Sequence, residues 1–154
     1  MSDVINILQK AKISNKPQSI NLYQQAFAHK SYVLQKEQRK LFEYCVMAKT
    51  VALQSKSYDA LEFYGDSIVS AATVEYLFKR YGQYFDEGGL TKIKNKIVSS
   101  DYLSRFAKYF GFYNFILLND YIENMYGRRI DRFMEDCFEA FVAAISLDID
   151  YETD

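Results

Sequence analysis

Apolar positions along the chain recur at helical spacing, and the breaks between apolar runs fall at serine and glycine. Leu61, Tyr64, Ile68 and Ala72 stand at i, i+3, i+7 and i+11, which puts them on one stripe of a long helix over 58–80. Ser57 precedes this run as a starting cap, and Gly82 follows it as a stop. The same reading predicts helices over 3–12, over 19–31 with Ser19 as N-cap, over 35–54, over 90–98, and over 100–110 with Ser99 or Ser100 as N-cap. Gly88-Gly89 and Gly111 read as further stops, and residues 111–128 as an irregular loop. A final helix spans 130–147. Phe133, Met134, Phe138, Phe141, Val142 and Ile145 make it apolar on most sides, the mark of a helix at the centre of a core. The expected fold is all-α, with about seven helices in one domain over 1–154.

Composition supports a folded helical chain. The 154 residues include one proline, Pro17, and six glycines, with 49% hydrophobic and 25% charged residues. Aromatic residues reach 17% without tryptophan, so the core is expected to be built from Tyr and Phe rings. No repeat, low-complexity tract or Pro/Gly/Ser linker interrupts the chain. Cys45 and Cys137 lie far apart in apolar surroundings and read as buried free thiols, without metal-ligand spacing. The N-terminus MSDVINILQKAK lacks a signal-peptide core, and no run approaches transmembrane length. The expectation is a soluble, intracellular, cytoplasmic protein with no membrane partner. The net charge of −1 gives no general footprint of nucleic-acid binding. A nucleic-acid partner would require the basic residues to be gathered on one face.

Two helices expected in the core carry acids among their apolar residues. Asp59, Glu62 and Asp66 lie at i, i+3 and i+7 of the long helix, and Asp136 and Glu139 at i and i+3 of the last one. No Lys or Arg stands three or four positions from Glu62 or Asp66, while Arg132 stands four before Asp136. Acids stacked this way repel, and burying each unpaired would cost several kcal/mol. Two such faces turned together make an oxygen-rich cage, the ligand set of Mg²⁺ or Mn²⁺. A single acidic pair is more often a solvated helix face. A di-iron carboxylate bundle would want Glu-x-x-His pairs, and the one histidine, His29, has no Glu three before it. His29 reads as a capping or packing residue.

The stretch Asp59-Ala60-Leu61-Glu62-Phe63-Tyr64-Gly65-Asp66 resembles the ribonuclease III signature E-x-L-E-F-x-G-D. AFAHKSY (26–32) is similar to that family's helix ending in H-x-S-Y. EGGLTKIKNKIVSSDYLSRFAKYFGF (87–112) resembles its E-G-x-L-T stretch and the helix pair after it. GRRIDRFMEDCFEAFVAAISLD (127–148) resembles its closing helix. The motifs occur in family order and cover roughly 20–150. Each matches only moderately well alone. The resemblance assigns metal binding and catalysis to Glu62, Asp66, Asp136 and Glu139, the acids already singled out. It adds Asp59 and Glu87 as further cleft acids. It makes Phe63 the aromatic that plugs into a partner subunit, with Gly65 allowing close backbone approach there. Asp59 is shorter than the family's usual Glu, Ala143 replaces a usual Gly, and residues 33–57 are longer than usual. The sequence given stops shortly after the last predicted helix, and the expectation is a single catalytic domain with no double-stranded RNA-binding domain in this chain.

What the resemblance implies is a homodimer that hydrolyses both strands of an RNA duplex, leaving 5′-phosphate and 3′-hydroxyl ends with short 3′ overhangs. The implied cofactor is Mg²⁺, with Mn²⁺ as substitute, and no small-molecule cofactor. Duplex RNA presents shape, 2′-hydroxyls and phosphates, so basic residues must track its backbone. Lys92 and Lys96, one turn apart, and Arg128 and Arg129, before the last helix, are the expected contacts; each is equally well read as solvated surface. The alternative is a ribonuclease III-fold scaffold that binds RNA or a partner protein without cutting. A retired site should have lost one of the four acids, and none is missing. A helical interaction module with coincidental acids is the third reading.

Overall fold

The structure is a computed structural model and describes residues 2–14, 16–39 and 54–150. Eight α-helices are formed among the described residues: α1 (Ser2–Lys10), α2 (Ile20–Gln25), α3 (Lys30–Arg39), α4 (Asp59–Tyr81), α5 (Glu87–Ile97), α6 (Ser100–Phe110), α7 (Asp120–Asn124) and α8 (Asp131–Asp150). None is long and apolar enough to cross a membrane. The all-α expectation holds, and the differences from it have local causes.

The predicted helix over 19–31 is two helices. At residues 27–29 the backbone bonds to distant chain instead of to itself. Leu117 N–H donates to Phe27 O at 2.8 Å, His29 N–H to Leu117 O at 3.1 Å and Tyr58 N–H to Ala28 O at 2.8 Å. A single parallel bridge between Ala28 and Leu117 results. These bonds carry the backbone groups that a continuous helix would have paired internally. Ser19 occupies the N-cap position of α2, but its side chain makes no capping bond. Asp148, near the end of α8, accepts from the backbone N–H of Gln18 at 3.0 Å, of Ser19 at 2.6 Å, and from the Tyr23 hydroxyl at 2.9 Å. Of the predicted helix over 35–54, residues 35–39 lie in α3 and Gln54 is not helical; Cys45 and the other residues of that prediction lie outside the described residues.

Gly88-Gly89 do not stop a helix; they lie in the first turn of α5. Asp86 caps that helix, its side chain accepting from Gly89 N–H at 2.8 Å. The predicted loop over 111–128 contains two 3-10 turns, Phe112–Asn114 and Gly127–Arg129, and the short α7, capped by Asn119 accepting from Ile122 N–H.

The core forms around α8, flanked by α4 and α6. Met134, Cys137, Ala140, Ala143 and Ala144 of α8 are fully buried. Phe27, Phe112 and Phe141 pack ring against ring at centroid distances of 5.0, 5.1 and 5.8 Å, so the expected aromatic core is present. The buried side of α4 is not the predicted stripe. Leu61, Gly65, Val69 and Leu77 are buried, whereas Tyr64 and Ala72 are exposed. An i, i+4 ridge meets α8, and the glycine within it brings the two helices together.

Candidate active site

The crossing of α4 and α8 is unusually close. A Cβ built on Gly65 would fall 1.9 Å from the carbonyl oxygen of Glu139 and 2.4 Å from its carbonyl carbon. Glu62 and Asp66 flank Gly65 on α4, and Asp136 and Glu139 share a face of α8. The crossing therefore sets Glu62 and Asp66 on one helix against Asp136 and Glu139 on the other, near enough for their charges to act on one another.

Their electrostatics record that proximity. Burial, then the charges of Asp66, Glu135, Glu62 and Asp136, push the Glu139 carboxyl up to about 8. Glu62 is raised by burial and then by Asp136 and Asp59, against the opposing pull of Arg132 and Lys30. Asp136 is raised by burial, with Glu135 and Asp59 adding to the rise. A hydrogen bond from Tyr58 and the charge of Arg132 act the other way. The Tyr58 hydroxyl donates to Asp136 Oδ2 at 3.1 Å. Desolvation and mutual repulsion both favour a proton or a cation over free charge.

The donor set fits a hard divalent cation: four carboxylates, with no thiol or imidazole among them. The acids are spread over the crossing, and among the described residues no three acidic, histidine or cysteine side chains converge on one point. His29 is a packing residue, as expected. It is buried, its ring lies 4.5 Å from Phe133, and its Nδ1 accepts from Ser31 N–H at 3.1 Å. Burial and the charge of Lys30 lower its pKa. Cys137 is a buried free thiol whose pKa is pushed well up by burial.

The other sequence candidates are distributed unevenly. Asp59 opens α4 and its charge acts on Glu62 and Asp136. Glu87 does not join them within this chain. It lines a groove with Val74, Leu77, Phe78 and Leu90, beside the far end of α4. Phe78 is 12 residues beyond Asp66, a rise of about 18 Å along the helix. Gly65 is not available to a partner subunit, because it is buried against α8 of its own chain; this corrects its assignment to an interface. Phe63 is 81% exposed. Lys92 and Lys96 are exposed on α5. Arg128 is already engaged, by Glu123 at 2.6 Å and by the carbonyl of Tyr113 at 2.8 Å. Arg129 is exposed, with its guanidinium over the Tyr126 ring. Sequence reasoning missed Tyr58, Glu135 and Lys30. Glu135 carries a signal that it did not use, since it lies four before Glu139.

Residues 19–153 match the family model described as ribonuclease-III-like. The chain belongs to the ribonuclease III family. It is 36% identical over 129 residues to Ribonuclease 3 of Enterococcus faecalis, covering 84% of this chain and 50% of that protein. It is 35% identical over 140 residues to Ribonuclease 3 of Mycoplasmoides pneumoniae, covering 89% of this chain and 41% of that protein. The chain thus spans half or less of the length of these curated relatives. Among solved structures, the nuclease domain of ribonuclease III from Campylobacter jejuni superposes with a TM-score of 0.74 at 25% identity, covering 99% of this chain and 88% of that one. A second structure of that domain, with a TM-score of 0.72, is described for structural flexibility in the region involved in dimer formation. The ribonuclease III nuclease-domain fold is therefore the fold of this chain.

Proposed function

We propose that the chain is a metal-dependent endoribonuclease that hydrolyses double-stranded RNA to products with 5′-phosphate and 3′-hydroxyl ends. What supports this reading is the close crossing of α4 and α8, at which the charges of Glu62, Asp66 and Asp136 act on Glu139, in a chain of the ribonuclease III family. These four residues would hold Mg²⁺, or Mn²⁺ in its place. The bound metal supplies a water of lowered pKa and charge neutralisation at the phosphate. Around it, Asp59 and Glu135 add negative charge, and Arg132 and Lys30 limit the total. Lys92, Lys96 and Arg129 are suited to phosphates of the duplex backbone. Arg128 contributes less, because Glu123 already holds its side chain. The working compartment is the cytoplasm.

The test is incubation with a long RNA duplex at low salt, where phosphate contacts are strongest. With Mg²⁺ the duplex should shorten, while single-stranded RNA and duplex DNA persist. Equal degradation of single strands would remove the duplex specificity. Absence of cleavage with either metal would favour the noncatalytic scaffold.

The acting form is a homodimer. Phe63, 81% exposed, Val74, 50%, and Phe78, 69%, stand along the open side of α4. Ser67, Ser70 and Ala71 line a shallow groove together with Asp66, Val74 and Phe78. A protruding ring beside a groove of small residues suits self-association about a twofold axis. Light scattering should give twice the 18.0 kDa chain mass. Phe63→Asp should shift the protein to monomer and lower cleavage with it. A wild-type monomer at micromolar concentration that still cuts both strands would refute the dimer.

A further inference from the structure

Tyr58 occupies the N-cap position of α4 and is only 1% exposed, one of the largest fully buried side chains. A buried phenol must place its hydroxyl on a partner. Here the partner is Asp136 Oδ2, 3.1 Å away and 78 positions later in sequence. The tyrosine is held at two further points. Its backbone N–H donates to Ala28 O at 2.8 Å, and its ring meets His29 edge-on at a centroid distance of 5.7 Å. The hydroxyl is thus held as a buried post against Asp136.

Asp136 has a short side chain with a freely turning carboxylate plane. One hydrogen bond from a fixed donor to Oδ2 selects a single orientation and leaves the lone pairs of Oδ1 for a cation. The chemistry of the donor matters as much as its position. A Lys or Arg in this place would orient the acid but also neutralise it, and so compete with a metal ion. A phenol orients the carboxylate while leaving its charge intact.

The geometry points to Tyr58 as a positioning residue for Asp136, setting the carboxylate for metal binding. The inference rests on the metal-site reading above and extends it to a residue outside the acid set.

Tyr58→Phe removes one oxygen and keeps the ring, so the packing against His29 survives. Calorimetric titration with Mn²⁺ should show the dissociation constant rising about 10-fold. At limiting Mn²⁺, kcat should fall by about the same factor, with KM for duplex RNA unchanged. Replacing Tyr58 by 4-aminophenylalanine, which restores a donor in the same place, should recover most of the affinity. An unchanged Mn²⁺ affinity in Tyr58→Phe would overturn the positioning role. So would a lower melting temperature without metal accompanied by a wild-type increase on adding Mn²⁺, which would make Tyr58 structural only. Asp136→Asn separates the two claims. If wild type binds Mn²⁺, Asp136→Asn weakens it and Tyr58→Phe does not, the metal site stands and the positioning role falls. If wild type binds no Mn²⁺, both fall.

Discussion

Glu139→Gln should lower duplex cleavage by about two to three orders of magnitude, the loss expected when metal activation of water is withdrawn. The metal-free variant should nonetheless be more stable than wild type near pH 8. Glu139 is 7% exposed and faces the charges of Asp66, Glu135, Glu62 and Asp136. Gln keeps the size of the side chain, removes the repulsion and offers a poorer oxygen to a hard cation. The pH dependence follows from the direction of the shift. The Glu139 carboxyl is raised from 4.5 to about 8 in the fold. Between those values the folded chain binds a proton that the unfolded chain has released. The stability from this group is therefore fully present below the lower value and is lost as pH rises through the upper one. Metal-free wild type should lose stability across that window, and the Gln variant should lose less. Mg²⁺ takes the place of the proton, so its stabilising effect on wild type should grow with pH and shrink in the variant. Thermal melting at several pH values, with and without Mg²⁺, measures both. Full cleavage by Glu139→Gln would leave the residue a structural acid and remove it from the metal site.

The candidate site was legible in sequence only as a pattern of acids within apolar helices, where burial is costly. Of Glu62, Asp66, Asp136 and Glu139, only Glu139 is buried; Glu62 and Asp136 are half-buried and Asp66 is exposed. Residues acting across long sequence separations were not legible. Nothing local in Tyr58 announces a bond to Asp136, and nothing in Asp148 announces that it satisfies the backbone of Gln18 and Ser19. The same limit explains the break between α2 and α3. Residues 26–31 have helical character, and only the distant partners Leu117 and Tyr58 draw the backbone out of it. Period counting failed on α4 for a different reason. It assigned Tyr64 and Ala72 to the core because they are apolar and correctly spaced. The ridge that α8 contacts runs instead through Gly65, a residue with no hydrophobic side chain to register in such a count. The apolar residues left outside, Phe63, Val74 and Phe78, are the ones proposed for dimer contact.

Gly65→Ala should be the most damaging of the glycine-to-alanine changes in this chain, because its added carbon meets the closest backbone contact of the six glycines. On an open helix the change would be favourable, since Ala is the better helix former by about 1 kcal/mol. Here the added carbon meets backbone. The carbonyl oxygen, carbonyl carbon and Cα of Glu139 lie 1.9, 2.4 and 3.1 Å from its position. No side-chain rotation relieves such a clash, so α4 and α8 must separate by more than about 1 Å. Separation loosens the ridge of Leu61, Val69 and Leu77 against the buried face of α8. Overpacking of side chains costs about 1–3 kcal/mol, and a clash with rigid backbone belongs at the top of that range or above it. For a domain with about 5–15 kcal/mol of stability, that is a large fraction. The damage should also reach the chemistry, because Glu62 and Asp66 ride on α4 while Asp136 and Glu139 ride on α8. Cleavage and Mn²⁺ affinity should fall even at temperatures where the variant remains folded. Gly88→Ala is the control. Its added carbon would meet only Asp86 Oδ1, at 3.8 Å, in the first turn of α5, and it should leave stability unchanged or slightly raised. Urea unfolding of both variants gives the comparison. A Gly65→Ala protein with the wild-type midpoint and wild-type Mn²⁺ affinity would mean that α4 and α8 do not cross at backbone contact, and the proximity of the four acids would lose its structural basis.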